Sequence, residues 1–244
     1  MSLRLVALLG LVAFGCARPA PGVPPDIGQH EWSISRARLT QLRAGEAVRP
    51  YTERVRVEIH DPVTGKDYHA RGAVAVSPRQ AARLMLVGPG GTTALDLWVT
   101  KDRYRFSVPA IHLEKRGGVD VAEPSLPVGM LRWWFLAPLS GRLLAGRSSQ
   151  HESTWILRED SATVLVRTDG TGFVAVRRDR AHDRIESIEW LGRGIEPRAG
   201  SRGRYIEARY GLKVDVVVEE VMATEPDPAA FDDPDAPSNE GTTL

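Results

Sequence analysis

The sequence predicts a mainly β fold: a curved, barrel-like antiparallel sheet of about eleven strands, led by a helix and crossed by a short apolar helical segment. Three observations carry that prediction. From Glu53 onward apolar residues recur at every second position, in runs separated by Gly, Pro and Asp turns. The runs are short and regularly spaced, as in sandwiches and barrels. Between two blocks of such runs lies Leu126 to Leu139, LPVGMLRWWFLAPL, where from Val128 to Leu136 only Gly129 and Arg132 are not large and apolar. A helix there is greasy around nearly its whole circumference and needs cover on more than one side. Its roughly ten residues reach about 15 Å, half of a hydrocarbon core, so it does not span a bilayer. It must be wrapped by protein or close over something apolar.

Composition bounds the rest. The chain has 244 residues, 42% apolar and 26% charged, enough for one large β domain or two small ones. Its 32 Lys and Arg are offset by 31 Asp and Glu, for a net charge of +1. Because the two signs are interleaved along the same strands, no one-signed groove for nucleic acid is expected.

The N-terminus reads as a targeting segment. Arg4 precedes an apolar run from Leu5 to Phe14, and Ala13-Phe14-Gly15-Cys16 resembles the lipobox of bacterial lipoproteins, with Ala13 in place of the usual Leu and Phe14 in place of a small residue. The resemblance implies a signal peptide over 1–15 and a mature chain beginning at an acylated Cys16, whose several chains, palmitate among them, anchor stably. The alternative is an ordinary signal peptide followed by a spare thiol. Cys16 is the single cysteine and cannot pair internally. Residues 16–31, with Pro19, Pro21, Pro24 and Pro25, form an extended tether. Ala17 is not the Asp that retains lipoproteins at the inner membrane, which makes the periplasmic face of the outer membrane the expected address.

Trp32 to Ala47 reads as a helix, with Trp32, Ile34, Ala37, Leu39 and Leu42 on one face and Gly45 ending it. Val55, Val57 and Ile59 then alternate with charged residues, and Asp61 to Gly65 turns the chain into a strand over Lys66 to Ser77. Gly72 inside that strand marks a bend or bulge. Ala81 to Val87, Thr92 to Thr100 and Arg103 to Val108 follow, the first two joined by Gly88-Pro89-Gly90-Gly91. Beyond the apolar segment, strands are expected at Thr154 to Arg158, Ala162 to Thr168, Phe173 to Arg178, Arg184 to Leu191, Arg202 to Ala208 and Leu212 to Val221. Residues 224–244 hold four prolines and six acidic residues with no basic one, an expected disordered tail that Phe231, its one aromatic, can pin to the body.

Two stretches resemble a known family. Leu84 to Leu97, LMLVGPGGTTALDL, is similar to the strand, Pro-Leu-Gly turn and strand of LolB, the outer-membrane member of the LolA/LolB lipoprotein carrier and receptor family. Leu126-Pro127-Val128 through Leu131 to Trp134 resembles the Leu-Pro, Leu, Trp segment of the same family. The resemblance spans 32–223. It implies an incomplete, half-open β-barrel folded around a helical lid, no cofactor, and a cavity that receives acyl chains of lipoproteins handed over by a periplasmic LolA-like carrier. Cavity and lid residues would be Leu84, Leu86, Leu95, Leu97, Tyr104, Phe106, Arg132, Trp133, Trp134 and Phe135, each of which also fits plain core. The family's membrane-insertion turn falls on Pro89, Gly90 and Gly91, and Gly90 stands where the family has an exposed apolar residue.

Catalytic signals are poor. His30, His60, His69, His112, His151 and His182 show no metal-ligand spacing. Ser77, Ser107, Ser125 and Ser140 lack a nucleophile elbow, and Gly88 to Gly91 has no Lys-Ser/Thr to make a phosphate loop. Asp96, in an otherwise apolar strand, is read as facing solvent, with a functional carboxylate as the alternative. The expectation is therefore a binding protein and not an enzyme. A scaffolding envelope lipoprotein that binds protein partners, or a carrier of another lipid, are the other readings.

Overall fold

Strict alternation turns the sequence into strands with one wet and one dry face. In the computed structural model, which describes residues 28–160, 162–179, 183–191 and 195–234, Val55 and Val57 are buried while Arg54, Arg56 and Glu58 are exposed. The expected signal peptide, Cys16 and most of the tether lie outside the described residues. One sheet holds all thirteen described strands: β1 (Tyr51–Asp61), β2 (Lys66–Ser77), β3 (Ala81–Val87), β4 (Thr93–Thr100), β5 (Arg103–Val108), β6 (Leu113–Gly118), β7 (Arg142–Ser148), β8 (Ser153–Arg158), β9 (Thr163–Thr168), β10 (Gly172–Arg178), β11 (Arg184–Leu191), β12 (Arg202–Glu207) and β13 (Lys213–Val221). Their order is β6-β5-β4-β3-β2-β1-β13-β12-β11-β10-β9-β8-β7, with antiparallel neighbours and two edges that pair with no further strand. The half-open barrel is thus as expected, with two more strands than the pattern revealed. Both additions, β6 and β7, are the edges.

That order has a direct consequence. β6 and β7 are consecutive in the chain yet lie at opposite edges, so residues 119–141 between them must cross the opening. This crossing carries the apolar segment, which forms α2 (Val128–Met130) and continues as a π-helix, Leu131–Leu136. Leu131, Trp134, Phe135 and Leu136 are all buried. Trp134 packs 4.7 Å from Trp190 and 5.5 Å from Phe135 between ring centroids. The segment is a plug in the interior of the curved sheet, not a loose cover.

Two glycines let that packing happen. A Cβ on Gly203 would sit 1.9 Å from the Trp134 ring, and one on Gly129 would sit 2.4 Å from the Tyr205 hydroxyl. Only a residue without a side chain admits the plug at either place. Gly72 acts within the sheet itself, where a Cβ would lie 1.9 Å from the Met85 carbonyl, so β2 and β3 approach there as a bend requires.

Helix α1 (Gln29–Arg43) begins three residues before the expected start and packs along β7 and β8. Trp155 Nε1 donates to the Ser35 carbonyl at 2.9 Å, and Arg43 donates to the carbonyls of Leu139 and Gly141, clamping the exit of the plug. One edge of the sheet is covered in this way.

The reading of Asp96 as solvent-facing is corrected. It does point to the outer face, but it is buried, held by Nε and Nη2 of Arg83 at 2.9 and 2.8 Å and approached by Arg105 at 3.5 Å. The C-terminal segment also packs on the sheet, its 3-10 turn Pro228–Phe231 lying over β2 and β3. Trp98 Nε1 donates to the Phe231 carbonyl at 3.1 Å, and Arg103 pairs with Asp233. Residues 235–244 of the tail lie outside the described residues.

Candidate functional site

The inner face of β1 to β6 is not filled along its full length. The plug occupies one end, against β2, β3 and β4. Toward the other end, where the β1–β2, β3–β4 and β5–β6 turns lie together, an open trough of about 890 Å³ remains. Ile59, Tyr68 and Ala70 form its floor, Leu86 and Leu95 one flank, and Phe106, Val108 and Leu113 run out to the free edge. Strand alternation places the side chains of Arg56, His69 and Arg71 on the opposite face, so these residues contribute backbone to the trough. The wall is apolar apart from the Tyr68 hydroxyl and Asp61.

Asp61 ends β1 and serves its turn. Its carboxylate accepts from Val63 N at 2.9 Å and Thr64 Oγ1 at 2.8 Å, and those bonds hold it below the usual carboxylate range. Tyr210 from the β12–β13 turn reaches the same carboxylate at 3.5 Å.

The expected site residues divide between trough and plug. Leu86, Leu95 and Phe106 line the trough. Leu84, Leu97 and Tyr104 are buried in the core beside the plug, together with Trp133, Trp134 and Phe135 of the plug itself. Arg132 is half-exposed and pairs with Asp120 at 3.1 Å. Pro89, Gly90 and Gly91 form an exposed 3-10 turn at the rim of the trough, with Gly90 at φ 82. The trough residues absent from the expected set include Ile59, Tyr68, Ala70, Val108 and Leu113. Ile59 and Val108 carried a signal, since each continues the inner-face alternation of its strand.

A buried polar chain anchors the plug to the other half of the sheet. Tyr205 OH donates to Glu186 at 2.8 Å, Arg177 bridges Glu186 at 3.0 Å and Glu159 at 2.8 Å, and Glu159 in turn accepts from Ser140 and from Trp133 Nε1. Burial pulls the Arg177 value down, but its two carboxylates outweigh that and hold it above the ordinary value. Burial and Glu186 together push the Tyr205 hydroxyl well up. Among the described residues no group of three or more His, Cys, Asp or Glu is placed to hold a metal ion. No described helix is long and apolar enough to cross a membrane.

No protein-family model matches the chain, and no curated protein matches it. Solved structures do. A LolA superfamily protein from Nitrosomonas europaea superposes with a TM-score of 0.56 at 11% identity, over 82% of this chain and 97% of that one. The two chains share a fold. A putative outer membrane lipoprotein-sorting protein domain from Vibrio parahaemolyticus superposes with a TM-score of 0.50 at 9% identity, over 82% of this chain and 97% of that one. At these identities the likeness extends to the fold alone, and the chemistry rests on this chain's own trough.

Proposed function

We propose that this chain is a non-enzymatic envelope lipoprotein, anchored through Cys16, whose trough binds acyl chains. In this reading it receives acylated lipoproteins from a periplasmic LolA-like carrier at the periplasmic face of the outer membrane. The observation that carries the reading is the apolar trough of about 890 Å³, open at one end and walled by Leu86, Leu95, Phe106 and Leu113. Such a volume is typical of ligand sites, and each buried methylene contributes about 0.8 kcal/mol, so a chain with ten methylenes in place gains roughly 8 kcal/mol before its ordering cost. Two further observations support it: the LolA fold, and the fact that one similar structure is described as a lipoprotein-sorting domain. Gly90 gives the rim turn no greasy tip, which separates binding of cargo from insertion into a bilayer and leaves proximity to the Cys16 anchor.

The test is capture of a lipoprotein in acylated and non-acylated forms by the chain beginning at Ala17. None of the residues removed belongs to the described fold. Ala70→Trp, which fills the trough, is compared with Ile156→Trp on the outer face. Capture of the acylated form alone, lost in Ala70→Trp and kept in Ile156→Trp, is the expected result. Equal capture of both forms would point to protein scaffolding and defeat the proposal.

A further inference from the structure

We infer that the ligand of this trough carries a protonated amine beside its acyl chain, received by a second, charged pocket at Glu207. The inference rests on the acyl-binding reading above and adds the chemistry of the polar end.

The second pocket, of about 340 Å³, lies between the start of the plug, the crossing segment and the ends of β10, β11 and β12. Five carboxylates and three guanidiniums line it. Four of the carboxylates already have cations: Asp120 has Arg132 at 3.1 Å, Glu123 has Lys115 at 2.9 Å, Glu186 has Arg177 at 3.0 Å and Asp179 has Arg209 at 3.2 Å. Glu207 is left over. It is 5% exposed, and no cation is within ion-pair distance of it among the described residues. Its Oε2 accepts the Tyr210 N–H at 2.5 Å, while Oε1 takes no hydrogen bond from a described residue.

A buried carboxylate without a counter-charge is costly, and a cation delivered by the ligand removes that cost. An ammonium suits the place because it donates up to three charge-assisted hydrogen bonds from a compact centre. The same lining disfavours an anionic head group. The link to the trough is Tyr210, whose N–H holds Glu207 in the charged pocket and whose hydroxyl reaches Asp61 at the end of the trough. One residue of that turn therefore hydrogen-bonds a carboxylate of each site, the neighbourhood a single amphiphile requires. An aminolipid head group and a lysine beside a lipidated chain end both supply this chemistry.

The test is calorimetric titration of the chain beginning at Ala17 with dodecylammonium, dodecyl maltoside and dodecyl sulfate, each below its micellar concentration and at low ionic strength. The ammonium is expected to bind about tenfold or more tightly than the sulfate. High salt should erode that preference, and Glu207→Gln should abolish it. Equal affinities in the wild type, or a preference that survives Glu207→Gln, would overturn the inference while leaving acyl binding intact. Failure of all three probes to bind would instead overturn the acyl-binding reading, and the inference with it. A thermal melt of Glu207→Gln checks that it folds, and the wild-type series decides the question without it. Lauroyl peptides with Lys or Ala beside the lipid, set against lysophospholipids with ethanolamine or glycerol head groups, assign the amine to a lipoprotein or to a lipid.

Discussion

Replacing Glu53 by Gln should stabilise the protein at neutral and alkaline pH. Glu53 shares the inner face of β1 with Val55 and Val57, is 3% exposed, and has no hydrogen-bond or ion-pair partner among the described residues. Burial pushes its carboxyl up from 4.5 to about 8. Between those values the folded chain keeps a proton that the unfolded chain has released, so unfolding becomes easier as pH rises. The stability lost is absent below about pH 4.5, accumulates at up to ~1.4 kcal/mol per unit, and is complete near pH 8, where it totals on the order of 5 kcal/mol. Gln occupies the same volume and does not titrate. Urea unfolding of both proteins from pH 4 to pH 9 should therefore give curves that converge at the acid end and part steadily above it, with the variant more stable. Parallel curves, or wild-type stability that climbs relative to the variant toward alkaline pH, would refute the reasoning. The neighbouring Tyr51 hydroxyl does not confuse the result, because burial and Glu53 hold its own titration above this range.

Three other perturbations test the packing. Arg177→Met leaves the buried Glu186 and the partly buried Glu159 without their shared cation and should cost about 3–5 kcal/mol by denaturant unfolding, most of it recovered when both carboxylates are also changed to Gln. Gly203→Ala places a methyl inside the Trp134 ring contact and should cost roughly 1–3 kcal/mol, with a weakened near-ultraviolet dichroism of the indole cluster. Removing residues 225–244 uncovers Trp98, so emission should shift to the red and quenching by acrylamide should rise, neither of which should occur in a Trp98→Phe background.

The strands with clean alternation were legible because one face is wet and the other dry, as in Val55, Val57 and Ile59 or Tyr104, Phe106 and Val108. The two edge strands were not. β6 reads Leu-Glu-Lys-Arg-Gly-Gly, whose charges and glycines suit a free edge and erase the period-two signal. The apolar segment was legible as the organising element, but sequence alone does not tell a plug from a lid. That distinction depends on Gly203 and Gly129, distant in the chain, yielding room for Trp134 and the plug backbone. Asp96 was misread for a similar reason: it is enclosed by Arg83 and Arg105 from the two flanking strands, which a reading of its own strand does not show. Within the trough, Leu86, Leu95 and Phe106 followed from pattern, whereas Leu113 was hidden with its strand. The charged pocket gathers side chains from the crossing segment and three later strands, and no local pattern announces it.

The strand order also divides the molecule mechanically. Apart from β1 with β13, every pairing joins strands next to each other in the chain, so β1 to β6 and β7 to β13 are two local meanders zipped along a single seam. Local hairpins close quickly, while the seam must wait for a loop of well over a hundred residues to close. The trough belongs wholly to the first meander and the charged pocket draws its strands from the second. Under tension applied at the ends of the chain, the seam is where the load would meet a zipper and not a row of bonds sheared together, so the two sites would part there before either came apart.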